Sequence, residues 1–232
     1  MGIALVQSKL GGNGSGSSPV TSSAVGYAST TTSGNLLVLI AWAKNTTSAL
    51  APIITAATSG FVWTNAKTAA YSDSGTPQAG KASIFYIEDA GAMSATTTVT
   101  AALGVGPSLS VEFSLYEFSG ILTSGSLDQI ANTSSGTGNP STANLVLTAT
   151  DLVIVTYTGE GTNTTAGPSY TLGVNSTHVT ASQTQYILNH SPGSTATAFG
   201  GTDPLWGCAS ASFSSTGGAG ASKCISSGLF GF

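Results

Sequence analysis

The apolar residues of this chain fall in short runs, not in helical stripes. The clearest run is residues 35–42, NLLVLIAW, entered through Ser33-Gly34 and left through Lys44-Asn45. Its length predicts one strand buried on both faces and is too short for an ordinary helix. Residues 151–157, DLVIVTY, echo it. Each run follows a Ser/Thr-rich lead-in, opens on Asn or Asp, and ends in a large aromatic. Both are expected to be central strands.

Other strands are expected around them. Residues 82–87 (ASIFYI) read as a strand, and 96–101 alternate cleanly. In 108–119, Leu109, Val111, Phe113 and Leu115 share one face. The phase then passes to Tyr116 and Phe118, which predicts a bulge or a change of sheet. Shorter strands are expected near 3–7, 20–28, 52–55, 61–65, 127–132, 145–149, 170–174, 185–189, 196–199 and 205–213. Residues 11–18, 73–80, 134–142 and 159–167 are rich in Gly, Ser, Pro or Thr and read as connectors. No segment of helical length carries a 3.6-residue apolar stripe. The pattern predicts an all-β, antiparallel two-sheet sandwich, jelly-roll-like, over residues 1–214, followed by a Gly/Ser-rich tail at 215–232.

Composition narrows the function classes. Only 6% of the 232 residues are charged, against about a quarter in ordinary domains. The surface must therefore be built from Ser, Thr, Asn and Gly, poorly protected by charge against association. No apolar run reaches the length of a membrane-spanning helix. The five basic residues are all lysines, scattered at 9, 44, 67, 81 and 223, and the net charge is -4. That balance argues against a nucleic-acid partner. The first residues, MGIALVQSKLGG, do not read as a secretory signal, and no membrane partner is expected.

Cys208 and Cys224 either form a bridge that clips the tail to the last strand or remain two free thiols. The tail ends Leu229-Phe230-Gly231-Phe232, an apolar plug that folds back on its own sandwich or docks on a neighbour.

Candidate chemistry is sparse. The acids are Asp73, Glu88, Asp89, Glu112, Glu117, Asp128, Asp151, Glu160 and Asp203, and no spacing selects a catalytic pair. Glu117 shares parity with Phe113 and Leu115. Burial of a charge is costly, so it is expected to turn outward at the phase change; the other reading is a buried carboxylate accepting from loop amides. His178 and His190 lack the short spacing of a zinc pair. The Gly-rich stretch at 11–18 lacks the Lys-Ser/Thr ending of a phosphate loop. Asp73 and Asn163 lie in loops without an EF-hand register. Asn-x-Ser/Thr sequons at Asn13, Asn45, Asn132, Asn163, Asn175 and Asn189 are what such a composition gives by chance. Trp42, Trp63 and Trp206, with seven tyrosines, are expected in the core, the sharper alternative being a sugar-stacking platform. No catalytic residue, metal or cofactor is assigned.

Several pieces carry a family likeness: IALVQS, SGNLLVLIAW, FVWTNA, SIFYIEDAGAMSATTTVTAAL, VEFSLYEFSGI, NLVLTATDLVIVTY and WGCASASF. Across about residues 3–213 the chain resembles β-sandwich domains of bacterial secreted proteins and tailed-phage virion proteins. The resemblance implies a structural or adhesive module. The expected function is a non-enzymatic virion structural protein (capsid decoration, head fibre or tail-associated subunit) whose partners are other virion proteins or its own copies. The alternative is an extracellular carbohydrate-binding or adhesin module, with surface glycans as partners.

Overall fold

A computed structural model describes residues 2–104, 107–162 and 165–216. Among these residues the regular structure is entirely strand. The first half carries β1 (Ala4–Ser17), β2 (Val20–Thr21), β3 (Asn35–Asn45), β4 (Ile53–Thr58), β5 (Thr64–Asp73), β6 (Gln78–Ala90), β7 (Thr97–Ala102) and β8 (Ser108–Ser119). The second carries β9 (Leu127–Gly138), β10 (Leu145–Leu147), β11 (Asp151–Gly159), β12 (Thr171–Leu172), β13 (Ser182–His190), β14 (Gly193–Thr195) and β15 (Asp203–Ser214).

Two five-stranded antiparallel sheets dominate, ordered β1-β8-β3-β6-β5 and β9-β15-β11-β13-β12. The orders correspond position by position: β3 and β11 are both central, and β1 and β9 are both edges. Each half adds a small sheet, β2-β7-β4 in the first and β10-β14 in the second. The sandwich is therefore jelly-roll-like twice over, with the two large sheets packed face to face.

Packing explains the sequence pattern. Leu36, Val38, Ile40 and Trp42 of β3 and Tyr116 and Phe118 of β8 face Leu152, Ile154, Ala211 and Phe213 of the second sheet. On the opposite face, Leu39, Ala41, Val111, Phe113 and Leu115 are covered by Ile54, Val99 and Ala101 of the small sheet. Val153, Val155, Tyr157 and Trp206 are likewise covered by Leu145 and Leu147. Each large buried side chain contributes roughly 1.5–3 kcal/mol. Strands β3, β8, β11 and β15 thus feed two cores each and lose the alternation of a half-exposed strand.

This corrects the expected phase slip in β8. Its pairing with β3 runs unbroken from Leu36↔Phe118 to Asn45↔Leu109. Tyr116 and Phe118 simply fill the other core. The irregularities lie on the opposite side, in β1, between Leu5 and Gln7 and between Leu10 and Asn13.

Two expected connectors are also strand. Residues 11–17 belong to β1, and β9 extends to Gly138. Their glycines allow close approach. A Cβ on Gly12 would lie 1.9 Å from the Ser23 carbonyl oxygen, and one on Gly136 would lie 2.5 Å from the Trp206 ring. Conversely, 196–199 is not a strand; the neighbouring strand is β14.

Candidate functional site

The acids are distributed as braces for loops. Glu112, in the middle of β8, is fully buried. It accepts from the Thr177 amide at 2.8 Å, the His178 amide at 2.9 Å, the Thr177 hydroxyl at 3.0 Å and the Ser176 hydroxyl. Glu117 is 1% exposed, which overturns the outward orientation expected for it. Its carboxylate accepts from Gln7 Nε2 at 2.6 Å, the Thr32 amide at 2.7 Å and Asn35 Nδ2 at 2.6 Å. Three donors offset the cost of burying the charge.

The same use recurs elsewhere. Glu88 of β6 accepts from the Ser126 amide and hydroxyl, each at 2.6 Å, and from the Gly125 amide at 3.1 Å. It thereby holds the linker between the two halves. Asp203 accepts from the amides of Glu160, Gly161 and Leu205. Asp73 accepts from the Gly75 amide at 2.8 Å and from Thr76, closing the β5–β6 turn. The Thr76 hydroxyl and Gly75 amide hold the Asp73 carboxyl below its ordinary value.

Two groups of ionisable side chains come together. In the first, Lys44 at the end of β3 lies within the electrostatic reach of Glu160 and Asp203. Burial lowers the Lys44 ammonium and raises the Glu160 and Asp203 carboxyls, with Lys44 opposing the rise at both acids. Beside them an open groove of about 590 Å³ is lined by Thr46, Thr47, Gly75, Thr76, Pro77 and Gln78. It offers hydroxyls and backbone groups, suited to hydrogen-bonding a polar ligand.

The second group is Asp128 of β9 and Asp151 of β11, brought together across β15. Asp151 is fully buried, and neither of its carboxyl oxygens accepts a well-formed hydrogen bond. Burial pushes it up to about 7, with the Asp128 charge adding and the nearby Ser212 and Ser214 hydroxyls opposing. Burial works in the same direction on Asp128, but the Thr148 amide at 2.9 Å and hydroxyl at 2.8 Å bring it below its ordinary value. The pair therefore sets a carboxyl biased toward its neutral form beside one biased toward its charged form. Only Asp151 is fully enclosed; Asp128 is half-buried and its Thr148 partner is exposed. Nothing in the spacing of these two residues signalled the pair.

The remaining sequence candidates lie apart. The His178 Nε2 is buried and has no hydrogen-bond partner among the described residues, while His190 Nδ1 meets the Ser191 carbonyl at 2.7 Å. Among the described residues no three His, Cys, Asp or Glu side chains converge on a metal-binding point. Trp42 and Trp206 are core residues, and Trp63 is partly buried against the small-sheet core. Tyr71, Tyr116 and Tyr157 are buried too. Cys208 is a buried free thiol, raised by burial. Cys224 and the tail residues Leu229, Phe230 and Phe232 lie outside the described residues. Among the described residues the three most exposed large apolar side chains are Val62 (84%), Leu50 (66%) and Ile53 (64%), on or close to β4 in sequence.

Comparison with family models, with curated proteins and with solved structures found no match to the chain.

Proposed function

We propose that the protein is a non-enzymatic structural component of a tailed-phage particle, a capsid decoration protein, head fibre or tail-associated subunit, acting through protein–protein contacts. The observation that carries the non-enzymatic part is the use of its acids. Glu88, Glu112, Glu117 and Asp203 all accept from loop amides, and the acid raised furthest toward neutrality, Asp151, is fully buried. Acid–base catalysis needs such groups in reach of a substrate. The charge-poor surface and the family likeness of the strand motifs support the particle role. Mass spectrometry of purified particles tests it. The chain is expected at a stoichiometry of many copies; its consistent absence from intact particles would overturn the reading.

The groove beside Thr46, Thr47 and Thr76 favours a second reading, an extracellular carbohydrate-binding or adhesin module. Glycan-array binding lost on Thr47→Ala or Thr76→Ala would support it. A blank array at high protein concentration would remove it.

A further inference from the structure

We infer that β4 is a self-association edge, pairing antiparallel with β4 of a second copy about a twofold axis at Thr55. β4 is the outer strand of the β2-β7-β4 sheet. Its inner side pairs with β7 from Ile53↔Ala102 to Thr58↔Thr97. On its outer side, among the described residues, only Thr58 is engaged, by the Phe61 amide at 3.2 Å. The backbone of residues 53–57 therefore presents an open row of donors and acceptors, which another strand satisfies best.

The other edges differ. Alongside β1 the Ser23 amide donates to the Asn13 carbonyl at 2.9 Å, and Gln7 bonds Ser29. β5 meets β9 through the Ser72 amide and Ser135 hydroxyl at 3.3 Å. β2 and β12 have two residues each, and β10 and β14 three. β4 has six. Although Pro52 precedes it, β4 itself carries no charge, proline or bulge; its first residue Ile53 is exposed, as are Leu50 before it and Val62 after it.

The alternation in β4 fits a second copy of the same strand and limits the registers, and Thr55 is the middle of the open row 53–57. Ile53, Thr55 and Ala57 are exposed, while Ile54 and Thr58 are buried and Ala56 half-buried. Opposed residues in an antiparallel pair share a face, so the two copies match only when the axis passes through a residue. An axis at Thr55 sets Thr55 against Thr55, Ile53 against Ala57, and Ile54 against Ala56. Outward faces then meet outward faces, and the two small sheets continue as one of six strands. A Thr–Thr pair is itself favourable. A strand that matches its own reverse needs no foreign sequence, and the contact is isologous and closed.

This names a partner for the contact-forming role proposed above, but it is tested on the isolated full chain, so either can fail alone. In a Cys224→Ser background, Thr55→Cys is expected to yield a disulfide-linked dimer on mild oxidation, whereas Ser59→Cys, far from the axis, stays monomeric. Sedimentation should show a dimer for the parent chain. Ile53→Lys/Ala57→Lys, which sets like charges opposite each other, should weaken it by about tenfold or more with unchanged circular dichroism. Ile53→Lys/Ala57→Glu should restore it. A parent chain that stays monomeric at high concentration, or a dimer that ignores these charges, would overturn the inference.

Discussion

The Trp42 indole N–H donates to the Thr156 hydroxyl at 2.8 Å, across the interface of the two large sheets. The two residues stand on β3 and β11, the equivalent central strands of the two halves, and both are fully buried. Thr156 in turn donates to the Gln183 carbonyl at 2.9 Å. Trp42→Phe removes the donor and leaves a void, and should cost about 2–3 kcal/mol in urea unfolding. Thr156→Val should cost about as much, because it strands the indole N–H. The double variant should lose less than the sum. Simple additivity would mean that the bond does not couple the halves.

The carboxyl pair makes stability depend on pH in a defined direction. The folded chain holds the Asp151 proton to about pH 7, whereas an unfolded carboxyl releases it near 3.8. Protons therefore favour the folded state within that window. This contribution is complete below 3.8, falls as pH rises toward 7, and then levels off. Solvent screening of the pair keeps its limit to a few kcal/mol at most. Asp128, lowered in the fold, acts oppositely and only at more acid pH. Asp151→Asn is neutral at every pH. Its unfolding free energy should be flatter between pH 4 and 7, and higher than the parent at pH 8. Parallel profiles for the two chains would refute the raised Asp151 carboxyl.

The two echoing apolar runs were legible because β3 and β11 are buried on both faces, so position in the fold is written into composition. The glycines of β1 misled because they serve a tertiary approach, Gly12 against the Ser23 carbonyl, and not a flexible link. Glu117 shows the same limit. Its parity gave the correct face, but its donors at Gln7, Thr32 and Asn35 lie 110, 85 and 82 residues away, so the buried carboxylate accepting from a loop amide stood only as the second reading. Asp128 and Asp151 meet only through the β9-β15-β11 pairing, which no sequence period announces.

Glu112 should be among the most sensitive surface-remote positions. Glu112→Ala leaves the Thr177 and His178 amides without an acceptor and should cost about 3 kcal/mol or more. Glu112→Gln keeps one acceptor oxygen and should lie between the parent and the alanine variant. Hydrogen exchange should quicken at Thr177 and His178 in both variants, most in alanine. Unchanged exchange there would mean the loop is held by something other than this carboxylate.

Cys208 gives the last test, which also bears on the tail. Its thiol is fully buried in the layer formed with Val155, Tyr157 and Trp206. Burial keeps it protonated, so the reactive thiolate is scarce and shielded. A thiol reagent should therefore leave Cys208 untouched in the native chain and modify it only on unfolding. At most one equivalent, from Cys224, should react under native conditions. A bridge between Cys208 and Cys224 is the alternative outcome. Its signature would be a chain with no thiol titratable in denaturant until a reductant is added.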